Sequence, residues 1–237
     1  GRAGLAYEFS NGLTPYVSYS TAFNPTTATD GAVIFEPDEA RQFEAGIKYS
    51  PTFFDGILTA AVFDLTRSNV VGPDPNDPTI SAAVGEVNVR GAELGVQANL
   101  DNGFKIIGGL TYLDAEVTKA ITGTTSGMTP MQIPDLTASL WLDYTVQSGA
   151  LEGLSLGGGV RYVGESFADG ANTLVVPAST VADAAIRYNR DNWGVALNVA
   201  NIFDKTYVAS CLNGGSAFGS CGYGAGRTFT LKAHVTW

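Results

Sequence analysis

The sequence has 237 residues, 15% of them charged, and 29 glycines. Its 13 Lys and Arg stand against 23 Asp and Glu, a formal net charge of −10 with the one histidine neutral. That balance argues against a nucleic-acid partner, which calls for a basic stripe. A lone histidine excludes most multi-histidine metal sites, and the charge content lies below the about 25% usual in soluble domains.

Membrane-spanning helices are excluded next. The longest stretch without Asp, Glu, Lys or Arg, Thr206 to Gly226, is rich in Gly, Ser, Asn and Cys rather than apolar residues. Gly1-Arg2-Ala3 leads directly into alternating sequence, without the charged and apolar regions of a signal peptide and without an initiator Met. The chain is therefore expected to be a mature product or a piece of something longer.

Taken in order, the chain shows period-two alternation of apolar and polar residues, the signature of strands. Phe43, Ala45, Ile47 and Tyr49 oppose Glu44, Gly46, Lys48 and Ser50. Leu136, Ala138, Leu140, Leu142, Tyr144 and Val146 oppose Thr137, Ser139, Trp141, Asp143 and Thr145. Ala182, Ala184, Ile186 and Tyr188 follow the same rule, and the last segment places Phe229, Leu231, Ala233, Val235 and Trp237 against Thr228, Thr230, Lys232, His234 and Thr236. About eleven strands are predicted, over 4–9, 14–22, 39–50, 56–68, 84–100, 104–117, 135–146, 153–165, 179–189, 193–202 and 225–237. No helix is predicted.

The predicted connections alternate strictly between short and long. Short ones are Ser10 to Leu13, Pro51 to Asp55, Asp101 to Gly103, Gln147 to Glu152 and Arg190 to Asn192. Asn11-Gly12 and Asn102-Gly103 suit hairpin turns whose two central residues have positive φ. Long ones are Phe23 to Asp38, Asn69 to Ala83, Thr118 to Pro134, Ser166 to Ala178 and Phe203 to Gly224. A soluble sandwich has no reason to put every long loop at one end, whereas outer-membrane barrels do, with an apolar outer face, a polar lumen and aromatic girdles. The expected fold class is all-β: a transmembrane antiparallel up-and-down β-barrel. An odd number of hairpin-linked strands cannot close antiparallel, and open edges in lipid leave backbone groups unsatisfied, so the chain is expected to be part of a larger barrel.

Particular stretches carry a resemblance. Leu197-Asn198-Val199-Ala200-Asn201-Ile202-Phe203-Asp204-Lys205-Thr206-Tyr207-Val208-Ala209-Ser210-Cys211, then Cys221 and Gly224-Ala225-Gly226-Arg227-Thr228-Phe229, resemble the penultimate strand, last loop and terminal strand of TonB-dependent siderophore receptors. Pro15 to Ser20, Phe43 to Tyr49, Arg90 to Leu94, Gln132-Ile133-Pro134 with Ala138 to Trp141, and Gly159 to Gly164 look like further signatures of that family. The ordered set covers essentially the whole chain and is most similar to the ferrichrome (ferric hydroxamate) receptor subfamily.

The resemblance implies a barrel of about 22 strands around a plug, with residues 1–237 as its C-terminal part and the plug domain, TonB-engaging segment and N-terminal barrel half absent. It implies a bacterial outer-membrane location and ferric siderophore binding and import, with the siderophore as transported ligand and no cofactor. Implied partners are the TonB complex, the plug and N-terminal barrel half, outer-membrane lipid and lipopolysaccharide. Alternatives are a passive porin-like channel, or a receptor for cobalamin, haem or a sugar.

Within that frame, Cys211 and Cys221 share one long external loop and are expected to form a disulfide worth roughly 2–4 kcal/mol, a metal site lacking two further ligands. In the resembling subfamily an aromatic ligand contact follows the first cysteine. Here Leu212 stands there, leaving Phe218 and Tyr223 as substitutes. No catalytic residues and no metal ligands are expected: His234 lies on a strand, and no nucleophile motif accompanies it. Asp74 to Pro78 is read as a rigid external turn rather than a calcium loop. Glu8, Glu44, Lys48, Asp64, Glu93, Asp143, Arg161, Asp183, Arg187 and Lys232 are expected to face inward as a plug-contacting wall. Asp30, Glu36, Asp38, Glu39, Asp74, Asp77 and Asp169 are expected to be solvated loop charge.

Overall fold

The computed structural model describes residues 1–25, 29–30, 33–73, 81–120, 126–213 and 219–237. Eleven long strands follow one another: β1 (Arg2–Ala6), β2 (Leu13–Asn24), β3 (Asp38–Tyr49), β4 (Asp55–Pro73), β5 (Ser81–Asn99), β6 (Phe104–Lys119), β7 (Leu136–Thr145), β8 (Leu154–Val163), β9 (Ser179–Arg190), β10 (Trp193–Ala200) and β11 (Thr228–Val235). They form one eleven-stranded sheet in sequence order, every neighbour antiparallel, with β1 at one edge and β11 at the other. No helix occurs among the described residues. The predicted elements and their order hold; the connection expected over Asn69 to Ala83 shrinks, because β4 runs on to Pro73 and β5 begins at Ser81.

Register turns the alternation into faces. One row runs Leu58, Val96, Gly108, Leu140, Val160, Ala182 across six strands, and another links Ile186, Leu197 and Leu231. This face exposes Leu5, Phe43, Val62, Leu94, Leu142, Leu156, Ile186 and Leu231, far more contiguous apolar surface than water tolerates and the surface a lipid-facing wall needs. Aromatic pairs edge the band. Phe104–Tyr144 (4.7 Å between ring centroids) and Tyr188–Trp193 (5.7 Å) lie toward the short turns, and Tyr19–Phe43 (4.6 Å) toward the long loops.

Register also corrects one residue. Asp64 pairs with Phe43 on one side and Arg90 on the other, so it lies on the apolar face, not the inward one. The reason is height. β4 and β5 are 19 residues each, while about 9–11 suffice to span a bilayer. Asp64 lies in register with the Tyr19–Phe43 girdle, at the long-loop edge of the band, where Arg90 Nε donates to its carboxylate at 3.2 Å.

The Asn-Gly turns differ from expectation as well. Only Gly12 (φ 85°) and Gly103 (φ 90°) take positive φ; Asn11 and Asn102 do not. Gly12 N–H donates to Phe9 O and Gly103 N–H to Leu100 O, both at 3.0 Å, while Asn11 and Asn102 accept from the amides of Leu13 and Phe104. These are three-residue connections, a turn closed by a left-handed glycine, which preserve strand twist with one positive φ instead of two.

Most of the buried apolar residues sit at the long-loop end. Val87, Ala115 and Val117, on the polar face above the band, are each 4–6% exposed, and residues 126–128 run back along β6 through Val117 N–H to Met128 O (2.9 Å) and Gly127 N–H to Val117 O (2.9 Å). Ala168, Val176 and Val181 extend this core under the next loop.

Candidate functional site

The polar face carries a wall of paired groups. Tyr16 Oη donates to Glu44 Oε1 (2.6 Å), Gln42 Nε2 donates to the other oxygen of Glu44 (2.9 Å), and the Lys48 ammonium lies 5.2 Å from the Tyr16 ring centroid. Arg187 pairs with Asp143, whose residue is 6% exposed, and Trp141 lies against Gly157 and Gly159, where any Cβ would collide with its ring. Arg161 grips Asp183 with two bonds, Nε at 2.7 Å and Nη2 at 3.0 Å. The register puts Glu44, Lys48, Glu93, Asp143, Arg161, Asp183, Arg187 and Lys232 on this one face. Glu8 lies beyond the end of β1.

Asp183 also begins the support of the last external loop. Its Oδ1 accepts the Asn201 amide at 2.8 Å. Asn201, 3% exposed and left-handed (φ 51°), joins both legs of that loop: its Nδ2 donates to Lys205 O (2.9 Å) and Ala225 O (3.1 Å), and its Oδ1 accepts from Lys205 N–H (2.8 Å). Asp204 Oδ1 accepts the Arg227 amide at 2.8 Å, and Ile202 N–H donates to Ala182 O at 2.8 Å. Asn is suited to the left-handed conformation because its short side chain bonds locally.

Above this root the loop is a hairpin, Val208–Asn213 against Gly219–Tyr223. Cys211 and Cys221 are directly paired across it and disulfide-bonded, as expected. Leu212 lies next to Cys211 opposite Ser220, and Tyr223 lies opposite Val208 with its side chain exposed. Phe218 lies outside the described residues, as do Asp74, Asp77 and the rest of the turn read over Asp74 to Pro78. Two loop acids expected to be solvated are instead engaged. Asp38 begins β3 and pairs with Arg67, and Asp169 accepts from the Thr173 hydroxyl (2.6 Å) and from the Thr173 and Leu174 amides (2.9 Å each). Burial pushes the Asp169 carboxyl up, but those three hydrogen bonds outweigh it and hold the group below its ordinary value.

The loops also bind one another. Thr129 N–H donates to Asn172 Oδ1 (2.8 Å) while Asn172 Nδ2 donates to Thr129 O (2.9 Å). Gln132 N–H donates to Phe167 O (2.9 Å), and its Nε2 donates to Cys211 O (3.2 Å). Leu212 and Tyr223 thus belong to a roof built from three loops. Sequence reasoning did not find Asn172, Thr129 or the Gln132 link; the one hint was a polar residue amid turn-forming sequence. Among the described residues, no group of three or more His, Cys, Asp or Glu is arranged to hold a metal.

Comparison with known proteins decides the family. The family profile described as "TonB dependent receptor-like, beta-barrel" matches residues 1–202. The chain belongs to this family. It is 44% identical to the ferrichrome outer membrane transporter/phage receptor of Escherichia coli K12, over 98% of this chain and 31% of that protein. It is 37% identical to the ferrioxamine B receptor of Salmonella typhimurium, over 100% of this chain and 33% of that protein. Among solved structures, the siderophore receptor PiuA of Acinetobacter baumannii superimposes with a TM-score of 0.79 at 30% identity, over 98% of this chain and 35% of that one. The ferric-catecholate import receptor Fiu of E. coli gives 0.76 at 28%. The chain therefore spans about a third of the length of the relatives it matches. The family is one of transport receptors of the bacterial outer membrane, which accounts for the apolar band and its girdles.

Proposed function

We propose that this chain is the C-terminal barrel segment of a TonB-dependent receptor that binds and imports a ferric siderophore of hydroxamate type. The observation that carries the reading is the likeness to the ferrichrome and ferrioxamine B receptors across nearly the whole chain. In the proposal, the two open edges are met by further strands of a barrel of about 22, and a plug domain rests against the paired polar wall.

The roof is suited to capture rather than to reaction. Hydroxamate chelates balance the charge of ferric iron and present a low-charge, partly apolar periphery, which Leu212 and Tyr223 complement through contact area. An anionic catecholate chelate would instead meet a chain of net charge −10 whose long loops hold Glu36 and Asp169. The work of import falls to the TonB complex acting through the plug, and no residue here acts as a catalyst.

The test uses the full-length receptor. Purified protein is titrated with ferrichrome, ferrioxamine B and a ferric catecholate, and uptake of radiolabelled iron is compared in cells with and without TonB. Tight hydroxamate binding with TonB-dependent uptake is expected. Preference for the catecholate overturns the ligand class, and steady conductance of the intact receptor in a planar bilayer favours a passive pore.

A further inference from the structure

Gln132 is the residue at which three external loops meet. Its own segment lies between β6 and β7; its amide donates to Phe167 O in the loop after β8; its side chain reaches Cys211 O in the disulfide hairpin after β10. It does so from φ 62°, a conformation uncommon for a residue other than Gly, Asn or Asp and retained only where the surroundings over-determine it. The surroundings do so here. The reciprocal Thr129–Asn172 pair fixes the chain three residues earlier, and Ile133 and Pro134 line a cavity of about 260 Å³ with Tyr112 and Phe167 immediately after.

The hairpin needs such a tie. Its disulfide joins its two strands to each other, and Asn201 closes its root, but neither sets the angle at which its distal part stands over the other loops. Among the described residues, the Gln132 side chain supplies the side-chain hydrogen bond that does so, to the carbonyl of the residue preceding Leu212. We infer that Gln132 is a positioning residue: it holds the disulfide hairpin against the neighbouring loops and so presents Leu212 and Tyr223 to the ligand. Only the affinity readout of this inference rests on the siderophore-receptor reading.

The experiment uses the full-length receptor carrying Gln132→Gly, which keeps the left-handed backbone and deletes the tie, and Gln132→Asn, which tolerates the same backbone but falls one methylene short. Two quantities are read. The first needs no ligand: the rate at which a water-soluble phosphine reduces the Cys211–Cys221 disulfide, expected to rise roughly 3–10-fold, the equilibrium weight of one uncharged hydrogen bond. The second is the Kd for ferrichrome and ferrioxamine B, expected to rise by a similar factor in wild-type background. It should rise less than 2-fold where Cys211→Ser and Cys221→Ser have already loosened the hairpin. An unchanged reduction rate in both variants overturns the tie, whatever binds. A raised rate with unchanged Kd, or with additive losses of affinity, overturns the positioning role. Failure of the wild type to bind either hydroxamate counts against the proposed function and leaves the reduction rate to decide the tie. If Gln132→Gly does not assemble into a heat-modifiable barrel, Gln132→Asn carries both readouts.

Discussion

Replacing Asn201 with Ala is expected to open the root of the last external loop while leaving the barrel wall closed. The substitution removes three hydrogen bonds, at 2.8, 2.9 and 3.1 Å, from a residue only 3% exposed, and strands the amide and carbonyl of Lys205 and the carbonyl of Ala225. Each bond is worth about 1 kcal/mol net. The left-handed backbone, φ 51°, adds about 1 kcal/mol of strain for Ala. Shared partners make the sum less than additive, so about 3–4 kcal/mol of local stability is at stake, on the order of a 100-fold change or more in opening. The assay is amide hydrogen exchange on the full-length receptor in detergent. The reporters are the Ile202 and Arg227 amides, whose acceptors, Ala182 O and Asp204 Oδ1, the substitution leaves in place. Their protection is expected to fall about 100-fold while the β8 amides from Leu156 to Val160 keep theirs. Asn201→Gly, which relieves the strain but not the lost bonds, should lie between by roughly 1 kcal/mol. Protection of Ile202 and Arg227 within 3-fold of wild type in the Ala variant would refute the reasoning, because the root would then be held by the sheet alone.

Two further predictions concern a loop and a wall. The Asp169 carboxyl is held below its ordinary value, so the stability it lends is present above an unfolded pKa of about 3.9 and is lost as pH falls through the lower folded value. Pepsin cleavage between residues 164 and 178 should therefore rise steeply below about pH 4 in the wild type, whereas Asp169→Asn should be cut at a rate without that acid step; identical profiles would remove the carboxylate from the account. On the apolar face, Leu140→Arg should cost about 2–4 kcal/mol in a denaturant titration of the receptor folded in vesicles, because Leu140 lies mid-strand, while Asp64→Arg, in the girdle row at the interface, should cost about 0–1 kcal/mol. Equal penalties would place Asp64 in the hydrocarbon.

The wall was legible in the sequence because lipid imposes period two over whole strands. Leu136 to Val146, read as one apolar and one polar face, lies as β7 with Leu140 on the apolar row and Asp143 paired to Arg187 on the other. Strand ends were legible only where the pattern stopped. It does not stop at Asn69, and β4 continues to Pro73 because strands outside the bilayer still form ladder hydrogen bonds with water on both faces. The same fact explains Asp64. Parity tells which face a residue shares with its neighbours, but an acid in an alternating run reads as inward only if the run stays within the membrane. At the girdle row the apolar face meets the interface, and Asp64 and Arg90 are simply opposite charges in register.

The roof was less legible for a related reason. Its organising contacts are single hydrogen bonds between residues far apart in sequence, Gln132 with Cys211 and Thr129 with Asn172, and no periodicity announces them. What the loops share is local chemistry. Gln132, Asn172, Asn201 and Asp204 all take positive φ; the first three donate a side-chain hydrogen bond into another turn or leg of the loop system, and Asp204 accepts one from the Arg227 amide. Polar residues in left-handed positions therefore do in this roof what apolar rows do in the wall: they fix which segments lie together. Changes at Asn201 and Gln132 should thus disturb the proposed ligand-facing surface of the hairpin more than changes of equal size at Leu212 or Tyr223 disturb the anchors.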